Sequence, residues 1–375
     1  MKPCCIEICD VTLRDGEQTP GVSFTCEEKQ EIARCLSDIG VEVIEAGFPS
    51  ISNEEKKSVK AIVNMDLPAQ ICCLSRCIQS DVDAAVDCGV DLVSLFFATS
   101  DRHIKIKYHK TREEMLDTAL SMLDYAVDHG LKVRFSAEDA SRTDIGFLKE
   151  MYRQGAERGA AYSSFADTIG CMTPLEMYAT VQDLTKDLAN PLCVHCHNDL
   201  GFAGANTFTA AQAGAFQLHT TVNGIGERCG NASLEEVLVA LRMHNGTDRY
   251  DLTKLSGLSR LVERYSGIPV AKTKPVVGEH AFVHESGIHI AALIQDPRTY
   301  EYYPPEMVGA TQRLVLGKHS GRKGLEYILT TLGYTCSEEQ TERILSRIKA
   351  AGEAKQPVTT EVLSGIIAES QEEEA

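Results

Sequence analysis

Apolar and polar positions along this chain alternate on two periods. The short, β-branched runs IEICDVTL (6–13), VEVIEAGF (41–48), AQICCLS (69–75), DLVSLFFAT (91–99), KVRFSAED (132–139), YSSFADT (162–168), PLCVHCHND (191–199) and FQLHTTVNG (216–224) read as eight buried strands. Between them lie charge-edged stretches of helical period. In TCEEKQEIARCLSDIG, Thr25 and Glu28 form a capping box and Gly40 supplies the stop. In TREEMLDTALSMLDYAVDHG, Met115, Ala119, Met122, Leu123 and Ala126 make one apolar stripe ending before Gly130. Strands alternating with helices imply parallel pairing through right-handed crossovers. Eight such units predict a closed (β/α)8 TIM barrel rather than an open sheet.

Near residue 250 the pattern changes. DLTKLSGLSRLVERYSGIP opens a helical, linker-like region, followed by a segment rich in His, Gly and Tyr and then by the helical SEEQTERILSRIKAAGEA. The expected organisation is a catalytic barrel over 1–250, a linker subdomain over 251–325 and a helical segment over 326–375, whose acidic end ESQEEEA is expected to fray.

Composition narrows the function. A chain of 375 residues is long enough for a barrel plus a smaller C-terminal part. A formal charge of -17 argues against a nucleic-acid partner, which would need clustered Lys and Arg. No run is suited to spanning a membrane, and MKPCCIEICD lacks a signal peptide's charged region followed by an apolar core, so a cytoplasmic protein is expected. The 14 cysteines are scattered through apolar runs and are read as reduced thiols. Cys193 and Cys196 form a C-x-x-C without a second pair at zinc-ribbon spacing, so no structural zinc is expected there.

In such a barrel chemistry sits at the C-terminal strand ends, and polar residues converge there: TLRDGEQ, Glu45, RFSAED, ADT, HCHND and NGIGERCGN. Period 2 puts His195 and His197 on one face of the seventh strand's end. With Asp15 they offer two imidazole nitrogens and one carboxylate, a set suited to a catalytic divalent ion with open positions, and Asn231 offers a further oxygen. Zn, Mn and Mg all remain compatible. Arg14 places a permanent cation beside that site, where it stabilises charge developing on a carbonyl oxygen. The glycines of GIGERCGN miss the dinucleotide-binding spacing, so no nicotinamide cofactor is indicated.

The motifs DVTLRDGEQTPGV, FSAEDA, DTIGCMTP, VHCHNDLG, TVNGIGERCGNASLEE, HESGIH and VLGKHSG, spanning residues 8 to 319, resemble the metal-dependent acyl-CoA-condensing barrel family of 2-isopropylmalate, citramalate and homocitrate synthases. The resemblance implies that acetyl-CoA condenses with the ketone of a 2-oxo acid and that the thioester is then hydrolysed. It implies Asp15, His195 and His197 as metal ligands, Asn231 as a nearby or weaker ligand, Arg14 as the cation for the developing alkoxide, and Gln18 as a lining residue. It further implies a homodimer in which a His and a Tyr from a partner's C-terminal segment cover the barrel mouth. His284, His289 and Tyr300 are the candidates, either histidine serving as base with Glu138 as its carboxylate.

The acceptor is read from strand five, where Arg134, Ser136 and Glu138 share a face. A guanidinium there is satisfied by a second substrate carboxylate, which points to 2-oxoglutarate and hence homocitrate. Thr168 adds a hydroxyl, and Glu45 joins the substrate pocket. The alternative for Arg134 is an internal ion pair with Glu45 or Glu138. FADT and HTTVNG resemble the nitrogenase-cofactor type of homocitrate synthase, and at 375 residues no leucine-binding regulatory domain of the kind many isopropylmalate and citramalate synthases append is expected. Leu74, where fungal-type homocitrate synthases carry a His, suits an aliphatic tail instead. 2-Isopropylmalate or citramalate synthase is therefore the nearest alternative. A lyase of the same superfamily fits less well, because GERCGN and HESGIH are of the condensing type. A non-catalytic barrel would have lost some of Arg14, Asp15, Glu138, His195 and His197.

Overall fold

The computed structural model describes residues 6–372, which divide into two compact units meeting at Val270 and Ala271. In the first unit, eight parallel strands close into a barrel in chain order. They are β1 (Glu7–Asp10), β2 (Val43–Glu45), β3 (Gln70–Arg76), β4 (Leu92–Ala98), β5 (Lys132–Glu138), β6 (Tyr162–Asp167), β7 (Leu192–Cys196) and β8 (Gln217–Thr220), with β8 returning to pair with β1. All eight predicted strands exist, several shorter than their apolar runs. β1 stops at Asp10 because the Val11 carbonyl accepts from the amides of Arg14, Asp15 and Gly16, turning TLRDG away from the sheet. β7 stops at Cys196, and His197 instead forms an antiparallel bridge to Asn231.

The helices follow their sequence signals. Cys26–Ile39 carries the Thr25/Glu28 capping box and ends at Gly40, whose φ of 101° is left-handed. Arg112–Asp128 buries Met115, Ala119, Leu123 and Ala126, and is capped by Thr111 and Glu114.

The barrel interior is filled in layers contributed by alternate strands. Val43 and Leu92 pack against Cys9 and Cys72 near the N-terminal end. Arg134 sits level with Cys9 and Cys72, bonded to both sulfurs. One layer further toward the C-terminal ends, the even strands present Glu45, Ser94, Ser164 and His219.

Helix Leu255–Ser266, which the sequence pattern assigns to the linker region, belongs to the first unit. Asn223 Nδ2 donates to the Ser259 carbonyl at 2.9 Å, and Ser259 Oγ donates back to Asn223 Oδ1 at 2.5 Å. The second unit pairs two short parallel strands, β9 (Val283–His284) and β10 (Arg313–Leu314), that the sequence pattern did not suggest. Its own core is built from Leu316, Leu325, Leu329, Ile344, Leu345, Ile348, Leu363 and Ile367. The acidic end does not fray where expected: helix Thr360–Glu372 runs through it, with Glu369 paired to Arg347 at 2.7 Å and Ser370 buried. The last three residues of that end lie outside the described residues, as do Cys4 and Cys5. Every described cysteine is free. Among the described residues, no helix is long and apolar enough to cross a membrane.

Candidate active site

A cavity of about 290 Å³ opens at the C-terminal ends of the strands. Its lining includes Arg14, Asp15, Gln18, Glu45, Ser136, Glu138, Thr168, His195 and His197, nine of the residues singled out from the sequence. They come from β1, β2, β5, β6 and β7 or the turns just after them, so barrel closure brings together side chains up to 183 positions apart.

The centre of the site is Asp15, His195 and His197, all buried, with ligand atoms within 4.8 Å of one another. The two Nε2 atoms are 3.2 Å apart, and Asp15 Oδ2 lies 3.6 Å from the first and 4.0 Å from the second. Burial, reinforced by His197, pushes the His195 imidazole down to about 3, and burial lowers His197 as well. Neutral rings offer lone pairs. Burial alone would raise the Asp15 carboxyl, but Arg14, His195, His197 and the bond from Asn231 together outweigh it and hold the group well below the usual carboxylate range. Asn231 Nδ2 donates to Asp15 Oδ1 at 2.8 Å, leaving Asn231 Oδ1 buried with no hydrogen-bond partner. Two converging nitrogens, an ionised carboxylate and an orphaned oxygen fit a divalent cation, which would give the facing nitrogens and the Asn231 oxygen the positive partner they otherwise lack.

Local backbone explains how Asn231 arrives there. Gly230 has φ 83°, and a Cβ on it would stand 1.9 Å from the Gly224 carbonyl oxygen. A Cβ on Gly226 would stand 2.1 Å from Asn231 Nδ2. These glycines serve close backbone approach around the carboxamide.

Arg14 donates to Glu45 Oε1 at 2.5 Å and to Asp15 Oδ2 at 2.6 Å, and approaches Gln18 Oε1 at 3.5 Å. Burial opposes its charge, yet Glu45 and Asp15 more than compensate and hold it firmly cationic. Thr168 lines the cavity and spends its hydroxyl oxygen accepting from the Asp139 amide at 2.8 Å.

Arg134 occupies a different place from the pocket wall that its period-2 position suggests. It is fully buried, ion-paired with Glu45, and its remaining donors go to Ser94 Oγ (3.2 Å), Gln217 Oε1 (3.0 Å) and His219 Nε2 (2.9 Å). The internal Glu45 pair is therefore present. Ser136 and Glu138, further along the same face, do reach the cavity.

Several residues in the cavity lining, or bonded to it, carried no sequence assignment. Lys107 lies on a π-helical turn (Ile104–Tyr108) and bonds both oxygens of Glu138, at 2.6 and 2.9 Å. His103 Nδ1 approaches the same carboxylate at 3.8 Å. His219, Ser94 and Ser164 form the floor. For these three the signal was available: each is a polar residue in period with inward positions of its strand.

His284, His289 and Tyr300 belong to the second unit. There His284 Nε2 faces Glu301 Oε1 at 3.3 Å, and the His289 and Tyr300 rings stack at 3.9 Å.

Comparison with known proteins identifies the family. Residues 5–262 match the HMGL-like family model, and residues 276–356 match the model described as homocitrate synthase post-HMGL domain-like. The homocitrate synthase AksA of Methanosarcina acetivorans is 52% identical over 375 residues, covering 100% of this chain and 93% of its own. The 2-isopropylmalate synthase of Methanocaldococcus jannaschii is 46% identical over 370 residues, covering 97% of this chain and 71% of its own. The (R)-citramalate synthase CimA of that organism is 46% identical over 365 residues, covering 97% and 74%. Among solved structures, the HMG-CoA lyase of Bacillus subtilis superposes with a TM-score of 0.65 at 22% identity, covering 72% of this chain and 96% of its own, a likeness of fold.

Proposed function

Since the chain belongs to the HMGL-like family, with a homocitrate-synthase-type second domain, we propose that this acyltransferase condenses acetyl-CoA with 2-oxoglutarate and hydrolyses the thioester, releasing homocitrate and CoA. The observation that carries the reading is the convergence of Asp15, His195, His197, Arg14 and Glu138 on one cavity at the C-terminal strand ends.

Asp15, His195 and His197 would hold a divalent ion, with Asn231 Oδ1 as a fourth ligand. Such an ion supplies Lewis acidity toward the acceptor's carbonyl. Arg14, fixed by Glu45 and Asp15, stands ready to stabilise the alkoxide oxygen as the new carbon–carbon bond forms. Glu138 is the carboxylate that supports a histidine base in taking a proton from the acetyl methyl group. His284 or His289, with Tyr300, is the candidate set for that base, supplied by the second unit of a partner protomer in a homodimer. Gln18 and Thr168 complete the lining.

A dicarboxylic acceptor is supported by the polar floor of Ser94, Ser136, Ser164 and His219, and by full-length similarity to a relative named homocitrate synthase. A second reading, 2-isopropylmalate or citramalate synthase, is favoured by the Leu74, Phe48 and Phe96 walls of the same cavity. Release of free CoA from acetyl-CoA by purified protein with Mn or Mg, compared across 2-oxoglutarate, 2-oxoisovalerate, pyruvate and oxaloacetate, tests the proposal. Preference for 2-oxoglutarate supports it. Preference for 2-oxoisovalerate or pyruvate keeps the chemistry but replaces the acceptor.

A further inference from the structure

Among the described residues, two permanent cations line the active-site cavity, Arg14 and Arg228. The proposed reaction develops negative charge on two oxygens in turn. When a base takes a proton from the acetyl methyl group, the C–H electron pair becomes a carbon–carbon double bond, and the thioester's carbonyl pair moves onto its oxygen to give an enolate. When the enolate carbon attacks the ketone of the 2-oxo acid, the thioester carbonyl re-forms and the charge passes to the ketone oxygen as an alkoxide. Arg14, beside Asp15, serves the second oxygen. The first still lacks a donor.

Arg228 is held in a way that suits it for that place. Its backbone φ of 56° is left-handed, a conformation that residues other than glycine rarely adopt and that clusters at functional sites. Its Nε donates to Asp199 Oδ1 at 2.8 Å, and its Nη2 donates to Asp199 Oδ2 at 3.0 Å and to the Thr168 carbonyl at 2.7 Å. A bidentate carboxylate and a backbone carbonyl thus fix one edge of the guanidinium. Nη1 has no partner among the described residues and keeps both of its hydrogens to donate. Thr168 also ties this arrangement to Glu138. Its Oγ1 accepts from the amide of Asp139, the residue that follows Glu138, at 2.8 Å. Guanidinium and carboxylate are therefore held relative to each other through one residue, and both line the cavity. Enolisation needs that pairing, because proton removal and charge development occur on the same acetyl group.

We propose that Arg228 is a further catalytic residue: its Nη1 donates to the carbonyl oxygen of the acetyl-CoA thioester and stabilises the enolate, while Asp199 and Thr168 aim it. This rests on the condensation reading given above. Because the donor is fixed before substrate arrives, it needs no reorganisation as the charge appears.

The full-length protein with Mn is assayed at saturating concentration of the 2-oxo acid that the wild type prefers, with acetyl-CoA and with acetyl-CoA trideuterated on the methyl group. Arg228→Gln is expected to lower kcat by about 100- to 1,000-fold, the usual loss for one oxyanion donor. Proton removal then limits turnover, so the isotope effect on kcat should rise above the wild-type value. Metal affinity and the Kd for the 2-oxo acid, measured by calorimetry without acetyl-CoA, should match the wild type. Arg228→Lys, which keeps a cation but loses the planar fork, should show a smaller loss with the same rise in isotope effect, and it keeps the test open if Arg228→Gln does not fold. Wild-type kcat in both variants, or an isotope effect that does not rise, overturns the assignment. So does a loss of activity matched by a loss of metal affinity, the result expected if Arg228 only tethers the loop that carries Asn231. A wild-type protein that releases no CoA with any 2-oxo acid overturns the condensation reading first, before any variant is made.

Discussion

Lys107 Nζ lies 2.6 Å from one oxygen of Glu138 and 2.9 Å from the other, although the two residues belong to different strand–helix units of the barrel. The carboxylate proposed to support a base is thus held from within its own barrel by a π-helical turn, a helical irregularity that often marks functional sites. Glu138→Gln should lower kcat by about 100- to 10,000-fold, the usual contribution of a positioned acid or base, with little change in the KM for the 2-oxo acid. Lys107→Met should cost less, roughly tenfold, since it loosens the carboxylate without removing it. Steady-state kinetics on both variants checks this; a Glu138→Gln enzyme with wild-type kcat would remove Glu138 from the chemistry.

The buried His195, His197 and Asp15 constellation predicts a metal-dependent fold stability as well as activity. At a free metal concentration of 100 times Kd, a single site stabilises the native state by about 2.7 kcal/mol. Thermal unfolding of chelator-treated protein with and without added Mn should show the corresponding rise in Tm. Asp15→Asn should abolish the rise, and its metal content after purification should fall below that of the wild type.

Burial pushes the Asp10 carboxyl up to about 7 against its bond from Thr12, and Asp10 Oδ2 has no hydrogen-bond partner. The folded value lies above the unfolded one, so this group's stabilising contribution is complete below the unfolded pKa of 3.8 and is lost as pH rises through about 7. In Asp10→Asn the group no longer titrates. The stability difference between wild type and variant should therefore shift against the wild type by about 1.4 kcal/mol per pH unit inside that window and stay flat outside it. Denaturant melts at about pH 5, 6, 7 and 8 test this; parallel pH dependences would contradict the burial argument.

Gly230→Ala places a Cβ against the Gly224 carbonyl at a left-handed φ of 83°. Destabilisation by more than about 1 kcal/mol is expected, together with weaker metal binding, because the displaced loop carries Asn231 away from Asp15. Chemical denaturation and a metal titration measure the two effects separately.

Much of this was legible along the chain. Eight apolar runs separated by capped amphipathic stretches specified a closed parallel barrel, because each run had to be buried on both faces. The two-residue repeat put His195 with His197, and Arg134 with Ser136 and Glu138. It also placed the charged residues at the C-terminal strand ends, where a barrel exposes its loops. What alternation along one strand does not encode is depth. Whether an inward side chain becomes cavity wall or core depends on the stagger of all eight strands, and it is this stagger that leaves Arg134 a layer below the floor with Glu45 as its partner. The same closure brings Asn231 to Asp15 and Lys107 to Glu138. Such pairings come from loops that meet only when the barrel shuts, and one strand's periodicity carries no information about its neighbours' register.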